Sequence, residues 1–260
     1  MDKFQYKKAY GQNFMRDENI INKIVDKAQI DKDTLLIEIG PGAGSLSKKI
    51  VPLAGYAILY EIDTRLKDTL NEVLQGNNNY KIIFNDFLNQ NVSEDVKDYS
   101  FKKVYVVANL PYYITTPIIT KLMAELCPDK IVVMVQEEVA DRLSACNGSR
   151  EYGMISVKLS SEYDIKKLFR VGRNCFYPVP NVDSAVIELI KHNKYEIKDI
   201  KIFDKLIKDS FQYKRKNLRN NLKTYDLDKV EEILNDNNYS LNNRAEDIPV
   251  DVYVEIANNL

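Results

Sequence analysis

Through the first two-thirds of the chain, short β-rich runs alternate with helical patterns. That alternation admits few solutions other than a parallel sheet covered by helices. The expected strands are 34–39, 56–62, 80–84, 104–109 and 130–136, each ending at polar or glycine-rich residues. Expected helices lie between them at 45–51, 64–74 and 116–126, and 19–29 precedes the first strand. Two further β-like runs, 163–171 and 184–190, are close enough in sequence to suit an antiparallel pair at a sheet edge. Past residue 194 the strand signals vanish and helical periodicity takes over in 200–212, 228–235 and 250–258. The expectation is an α/β chain with a Rossmann-like, doubly wound domain over 1–194 and a small all-helical domain over 195–260.

Several function classes drop out early. Apolar runs such as Ile131-Val132-Val133-Met134-Val135 stop well short of the roughly 18 residues a membrane helix needs, so no bilayer span is expected. The start, MDKFQYKKAYGQNF, has no apolar core of a signal peptide, and a cytoplasmic product is expected. The three cysteines, Cys127, Cys146 and Cys175, are odd in number and form no C-x-x-C, which fits a reducing compartment. His192 is the single histidine, leaving almost no material for a Ser-His-Asp triad or a histidine zinc site, and no metal is expected.

Glu38-Ile39-Gly40-Pro41-Gly42-Ala43-Gly44 sits where the first strand turns into a helix, the place where doubly wound sheets bind nucleotides. Without Cβ atoms the turn can be tight and the backbone can approach a ligand. By itself such a loop serves NAD, FAD or S-adenosylmethionine, or simply makes a tight connection. The second strand ends at Glu61, 17 residues after Gly44 (61 − 44), a suitable place for a carboxylate accepting ribose hydroxyls. The third ends at Asn85-Asp86-Phe87, offering Asp86 to an adenine amino group and Phe87 to its ring. Ser45 and Leu46 follow Gly44, so the dinucleotide pattern G-x-G-x-x-G is not met. S-adenosylmethionine, which has a ribose and an adenine but no pyrophosphate, is favoured.

Asn109-Leu110-Pro111-Tyr112 closes the fourth strand, where the ligand crevice opens. An adenine N6 amine is a poor nucleophile because its lone pair is delocalised into the ring. The Asn109 side-chain oxygen and the Leu110 carbonyl can accept its two hydrogens and stabilise charge developing on nitrogen. Pro111 stiffens the loop, and Tyr112 is placed to stack on a base that has left its helix or loop. Phe176, in Cys175-Phe176-Tyr177-Pro178-Val179-Pro180, is the candidate for the other face of that base, with core packing as the alternative.

With these residues in view, the sequence resembles the ribosomal RNA adenine N6,N6-dimethyltransferases over nearly its whole length. The resemblance is carried by Gly11-Gln12-Asn13-Phe14, 38–44, VANLPYYITTPI (107–118), FYPVPNVDSAV (176–186), FQYKRKNLRNNL (211–222) and Arg244-Ala245-Glu246. The NLPYYITTP and RAE stretches are similar to the housekeeping small-subunit (16S) branch rather than to the large-subunit (23S) macrolide-resistance branch. The resemblance implies a Rossmann-like S-adenosylmethionine-dependent methyltransferase sheet with a helical rRNA-binding domain. It implies that Asn13, the backbone of Met15, Gly40, Glu61, Asp86 and Asn109 contact the cofactor, with Gln12 and Phe14 as its cover; Gly42 of the glycine loop and Phe87 at the third strand end complete the expected cofactor contacts. Met15 stands where leucine is usual, and Tyr113 where many members have asparagine.

The formal net charge of −1 hides an uneven distribution. From Lys201 to Lys223 eight Lys or Arg face only Asp204 and Asp209, a local charge of +6 that leaves −7 for the rest. Lys214, Arg215, Lys216 and Arg219 are the expected phosphate contacts, on one stripe of a helix whose other face carries Phe211 and Leu218 to the core; a solvated surface helix is the alternative. By resemblance, the implied activity is dimethylation of N6 on two adjacent adenosines near the 3′ end of 16S rRNA, with a role in ribosome biogenesis. The implied partner is 16S rRNA within the immature small ribosomal subunit, and a monomer is expected. The rival readings are a 23S rRNA methyltransferase, a chiefly non-catalytic assembly factor and, more distantly, a nicotinamide-dependent oxidoreductase.

Overall fold

The computed structural model describes residues 14–260. The chain divides into two compact units. One holds the described chain up to Ala140 together with Lys167–Ile190; the other holds Asp141–Lys166 and Lys191–Leu260.

The first unit is built on β2 (Thr34–Ile39), β3 (Tyr56–Glu61), β4 (Tyr80–Phe84), β5 (Lys103–Asn109), β6 (Lys130–Gln136) and β9 (Ser184–Lys191). With β7 (Tyr163–Val171) they form one sheet in the order β4-β3-β2-β5-β6-β9-β7. Strands β4, β3, β2, β5 and β6 run parallel, and β9 returns antiparallel to β6. β7 lies beside β9 at the edge, where the two late β-like runs were expected. All six residues of β2, TLLIEI, are buried, as a central parallel strand covered on both faces requires. Helices α1 (Glu18–Ala28), α2 (Ser47–Ile50), α3 (Lys67–Val73), α4 (Val92–Val96) and α5 (Thr115–Glu125) intervene. α1 begins where Asp17 accepts from Asn19 N–H at 2.9 Å, and it buries Ile21, Ile24 and Ala28. A separate two-stranded pairing joins β1 (Phe14–Met15) to β8 (Phe176–Tyr177), with Met15 opposite Phe176.

This topology locates the crevice. From β2 the chain winds outward through β3 and β4, then crosses to β5 on the other side of β2, so strand order reverses between β2 and β5. Ligands of open α/β sheets bind beyond the carboxyl ends of the strands at such a reversal. Here those ends are Ile39, entering the glycine loop, and Asn109.

The second unit contains α7 (Met154–Ser160), α8 (Ile200–Ser210), α9 (Leu218–Asn221), α10 (Leu227–Asp236) and α11 (Val250–Asn259); α6 (Glu137–Leu143) runs across the division at Ala140. The expected boundary at 194 leaves out part of this unit. Tyr152 and Val157 share one apolar cluster with Phe203, Leu206 and Tyr253, and that common core draws Asp141–Lys166 to the C-terminal helices. The expected helix over the basic stretch is also corrected. α8 ends at Ser210, residues 211–217 form a turn, and α9 starts at Leu218, with Asn217 capping it by accepting from Asn220 N–H at 3.2 Å. Leu218 is buried and Phe211 packs against the core as expected, but by a turn between two helices rather than by one helical stripe. Among the described residues, no helix is long and apolar enough to cross a membrane.

Candidate active site

The glycine loop and the end of β5 line a single cleft, with Phe14, Met15, Glu38, Glu61 and Tyr112 also in its wall. Gly40, Gly42 and Gly44 all have positive φ, at +70°, +58° and +80°. At Gly42 a Cβ would lie 2.7 Å from Phe14 Cε1, so the ring of Phe14 closes directly over a residue that must be glycine. The loop is pinned to the next strand: Gly40 N–H donates to the Tyr60 carbonyl at 2.8 Å and Gly42 N–H to Glu61 Oε2 at 2.9 Å. Glu61 Oε1 accepts from Asp63 N–H at 2.9 Å, and burial raises the Glu61 pKa. Each carboxylate oxygen has a second lone pair for a ligand hydroxyl.

Glu38 is the residue that sequence reasoning passed over. It is 1% exposed, lines the cleft, and its Oε2 is buried with no hydrogen-bond partner among the described residues. Burial pushes its carboxyl up to about 8; the neighbouring Glu61 adds to this, and the nearby Ser47 offsets only part of it. The Ser47 hydroxyl is itself buried without a hydrogen-bond partner, so it does not satisfy Oε2. An orphaned acceptor in a cleft wall is costly unless a ligand donor meets it. The signal in the sequence is a lone carboxylate inside the otherwise apolar run 35–39 of β2.

At the end of β5, Leu110 N–H donates to the Met134 carbonyl at 3.1 Å, which holds Asn109 and Leu110 against β6. The Pro111 carbonyl accepts from the Thr115 hydroxyl at 3.1 Å and from Ile114 N–H at 3.3 Å, so the loop turns directly into α5. Tyr112 is half-buried, its pKa is raised by burial, and its hydroxyl lies 2.6 Å from Ser184 Oγ. Ser184, which is buried, is a partner of Tyr112 not anticipated from sequence, although it stands in the FYPVPNVDSAV stretch.

The remaining expected residues separate. Met15, Gly40, Gly42, Glu61, Asn109, Leu110, Pro111 and Tyr112 come together in the cleft wall with Phe14. Asp86 and Phe87 lie outside that wall: Asp86 caps the next turn by accepting from Leu88 N–H at 2.9 Å, and Phe87 is buried edge-on to Tyr60. Phe176 takes the packing alternative. At 2% exposure it sits in the core cluster with Met15 and Val171, and not at the cleft mouth. Gln12 and Asn13 lie outside the described residues. In the helical unit, Lys214, Arg215 and Lys216 are exposed on the turn, and among the described residues none has an ion-pair partner. Arg219 is instead engaged, its Nη2 lying 3.1 Å from each Glu231 carboxylate oxygen. No cluster of metal-binding side chains occurs among the described residues.

The donor set suits S-adenosylmethionine. The glycine cradle gives close backbone approach, Glu61 offers acceptors for hydroxyls, and the orphaned Glu38 oxygen offers one for a cationic donor.

A family model described as ribosomal RNA adenine dimethylase matches residues 3–260. The ribosomal RNA small subunit methyltransferase A of Streptococcus thermophilus is 41% identical over 247 residues, covering 93% of this chain and 85% of that protein. Its namesake in Bacillus cytotoxicus is 40% identical over 269 residues, covering 99% and 92%. Among solved structures, a dimethyladenosine transferase from Plasmodium falciparum superposes with a TM-score of 0.78 at 24% identity, covering 94% of this chain and 95% of that one. The 23S rRNA methyltransferase ErmE superposes with a TM-score of 0.76 at 23% identity, covering 95% and 99%. These two likenesses speak for the fold.

Proposed function

The chain belongs to the ribosomal RNA adenine dimethylase family, and from that premise we propose that its cleft methylates N6 of two adjacent adenosines of 16S rRNA within the immature small ribosomal subunit. The methyl donor is S-adenosylmethionine, which when bound supplies a methyl group on an electrophilic sulfonium. The small-subunit substrate is supported by relatives about 40% identical along almost the full chain. The large-subunit methyltransferase reported above is 23% identical and speaks for the fold.

The observation that carries the mechanism is the placement of Asn109 and Leu110 in the same cleft wall as the glycine loop, Glu38 and Glu61. Glu61 orients ribose hydroxyls, Gly40 and Gly42 let the backbone approach, and Phe14 and Met15 exclude water from one side. Asn109 Oδ1 and the Leu110 carbonyl accept the two N6 hydrogens, favouring a pyramidal nitrogen and stabilising the positive charge that develops on it. The N6 proton then leaves to solvent, so no general-base histidine is required. Tyr112, its hydroxyl against Ser184, presents a ring to the extruded base. The chain works as a monomer in the cytoplasm, and Lys214, Arg215 and Lys216 bind rRNA phosphates.

The test is to incubate unmethylated small and large subunits with labelled S-adenosylmethionine and map the modified nucleotides. Dimethyladenosine at two adjacent small-subunit positions is expected. Label confined to large-subunit rRNA would overturn the assignment.

A further inference from the structure

The helical unit holds a depression of about 420 Å³ whose wall belongs entirely to that unit. Its size falls in the range of small-ligand sites, about 300–1,000 Å³. Tyr152 lines it at 2% exposure, and the Tyr152 hydroxyl is buried with no hydrogen-bond partner among the described residues. Such a group is costly unless a ligand meets it. Burial and then the neighbouring Asp251 carboxylate raise the Tyr152 pKa, so the hydroxyl keeps its proton and can donate.

Asp251, exposed in the first turn of α11, lines the same wall. Its Oδ1 accepts from Val252 N–H at 3.0 Å, and among the described residues its carboxylate has no ion-pair partner. The other charged and imidazole groups of the wall are engaged. Lys194 is paired with Asp164. His192 Nδ1 accepts from Lys194 N–H at 3.3 Å, so Nε2 carries the proton and donates to the Ser160 carbonyl, also at 3.3 Å. The His192 and Tyr195 rings, edge to face with centroids 5.7 Å apart, make part of the wall aromatic. One lysine against two aspartates leaves the depression at −1 (1 − 2), so an anion is repelled. The ligand that fits brings donors to Asp251 and an acceptor to Tyr152.

We propose that this depression binds a guanine base, with Asp251 accepting from N1–H and N2–H, the Tyr152 hydroxyl donating to O6, and the purine ring against Tyr195. Guanine is the nucleobase whose pairing edge sets two adjacent donors beside a carbonyl. Adenine and cytosine each place a lone-pair nitrogen next to a single donor group, and uracil flanks its one donor with carbonyls, so each turns an acceptor toward the carboxylate. Unpaired bases are read in this way, by hydrogen bonds along that edge and by aromatic side chains against the ring. The base comes either from an unpaired guanosine of rRNA or from a free guanine nucleoside. The first source rests on the function proposed above; the second does not.

The experiment has two arms, each run on the full chain as wild type, Asp251→Asn and Tyr152→Phe. In one, guanosine, inosine, adenosine and inorganic phosphate are titrated calorimetrically. In the other, small subunits bound by the protein are probed with kethoxal, which reacts at N1 and N2 of unpaired guanine. Asp251→Asn should weaken guanine binding about five- to 150-fold, the loss of one bidentate base contact. Tyr152→Phe should weaken it about two- to twelve-fold without lowering the urea midpoint, because the hydroxyl it removes has no partner in the protein. Guanosine bound more tightly than inosine, and inosine more tightly than adenosine, identifies the free nucleoside. A guanine shielded by wild type but not by either variant, with the other protections kept, identifies rRNA. The proposal is overturned by the absence of both results, by phosphate binding as tightly as guanosine, or by a Tyr152→Phe variant that unfolds at lower urea, which would give the hydroxyl a structural role. Protein that does not bind small subunits at all would overturn the proposed function, and the calorimetric arm would still decide the guanine site.

Discussion

Replacing Glu38 by glutamine removes a carboxyl that the fold buries with one oxygen lacking a hydrogen-bond partner among the described residues. Its carboxyl is pushed from the ordinary 4.5 up to about 8 by burial, so the folded protein holds a proton that the unfolded chain releases. Stability tied to this group is therefore fully present below about pH 4.5 and declines as pH rises, until it is lost once pH has passed through about 8. The full span is 3.5 pKa units (8 − 4.5), or about 5 kcal/mol at about 1.4 kcal/mol per unit. Between pH 5.5 and 8.5 the loss is about 3 kcal/mol. Urea unfolding of the cofactor-free protein across that interval reads it directly. The glutamine variant should lack this part of the slope, whatever offset the new amide adds at all pH values, and the difference between the two slopes isolates the group. Saturating S-adenosylmethionine should flatten the wild-type slope, because a cation brought to the cleft favours the ionised carboxylate. Identical slopes for the two proteins would show that Glu38 is not a desolvated carboxyl, and the orphaned oxygen would lose its role as a ligand acceptor.

Gly42→Ala should cost about 1–2 kcal/mol of stability for the left-handed backbone and weaken S-adenosylmethionine binding by displacing Phe14; calorimetric titration with unchanged affinity would contradict the close approach of that ring. Tyr112→Ala should cost about 1–3 kcal/mol in kcat/KM on small subunits from lost base stacking, while Ser184→Ala, which leaves the ring in place but frees its hydroxyl, should cost about 0.5–1.5 kcal/mol. Equal losses would mean that Tyr112 acts through Ser184 alone. Removing Lys214, Arg215 and Lys216 together should lower the salt dependence of subunit binding by roughly 0.7–0.9 in log–log slope for each phosphate no longer neutralised. Arg219→Ala should change that slope less, because Glu231 already holds its guanidinium.

The sheet and the cleft were legible because both rest on local pattern. Short β-branched apolar runs such as Ile131-Val132-Val133-Met134-Val135 suit buried strands at that length, and glycines at a strand-to-helix turn mark the crevice wherever the sheet reverses. What escaped depended on distant partners. Asp141–Lys166 joined the helical unit through Tyr152 and Val157, which meet their packing neighbours about 50 to 100 residues away. The basic stretch kept its apolar anchors at Phe211 and Leu218, and that spacing imitates a helix although the turn at 211–217 interrupts it. Phe176 reads as a pocket aromatic beside two prolines, yet its pairing with Met15 takes the ring into the core. Glu38 was hidden by its own motif, since the glycines that follow dominate the pattern.

Methyl transfer in this cleft turns on the two acceptors at the end of β5. Single-turnover methyl transfer to unmethylated small subunits by Asn109→Ala, measured beside its equilibrium affinity for S-adenosylmethionine, tests them most directly. A rate lower by about 2.7–4 kcal/mol in barrier terms is expected, the loss typical of one preorganised polar group, with cofactor affinity little changed. Transfer at the wild-type rate would contradict the assignment of the Asn109 oxygen to the N6 amine.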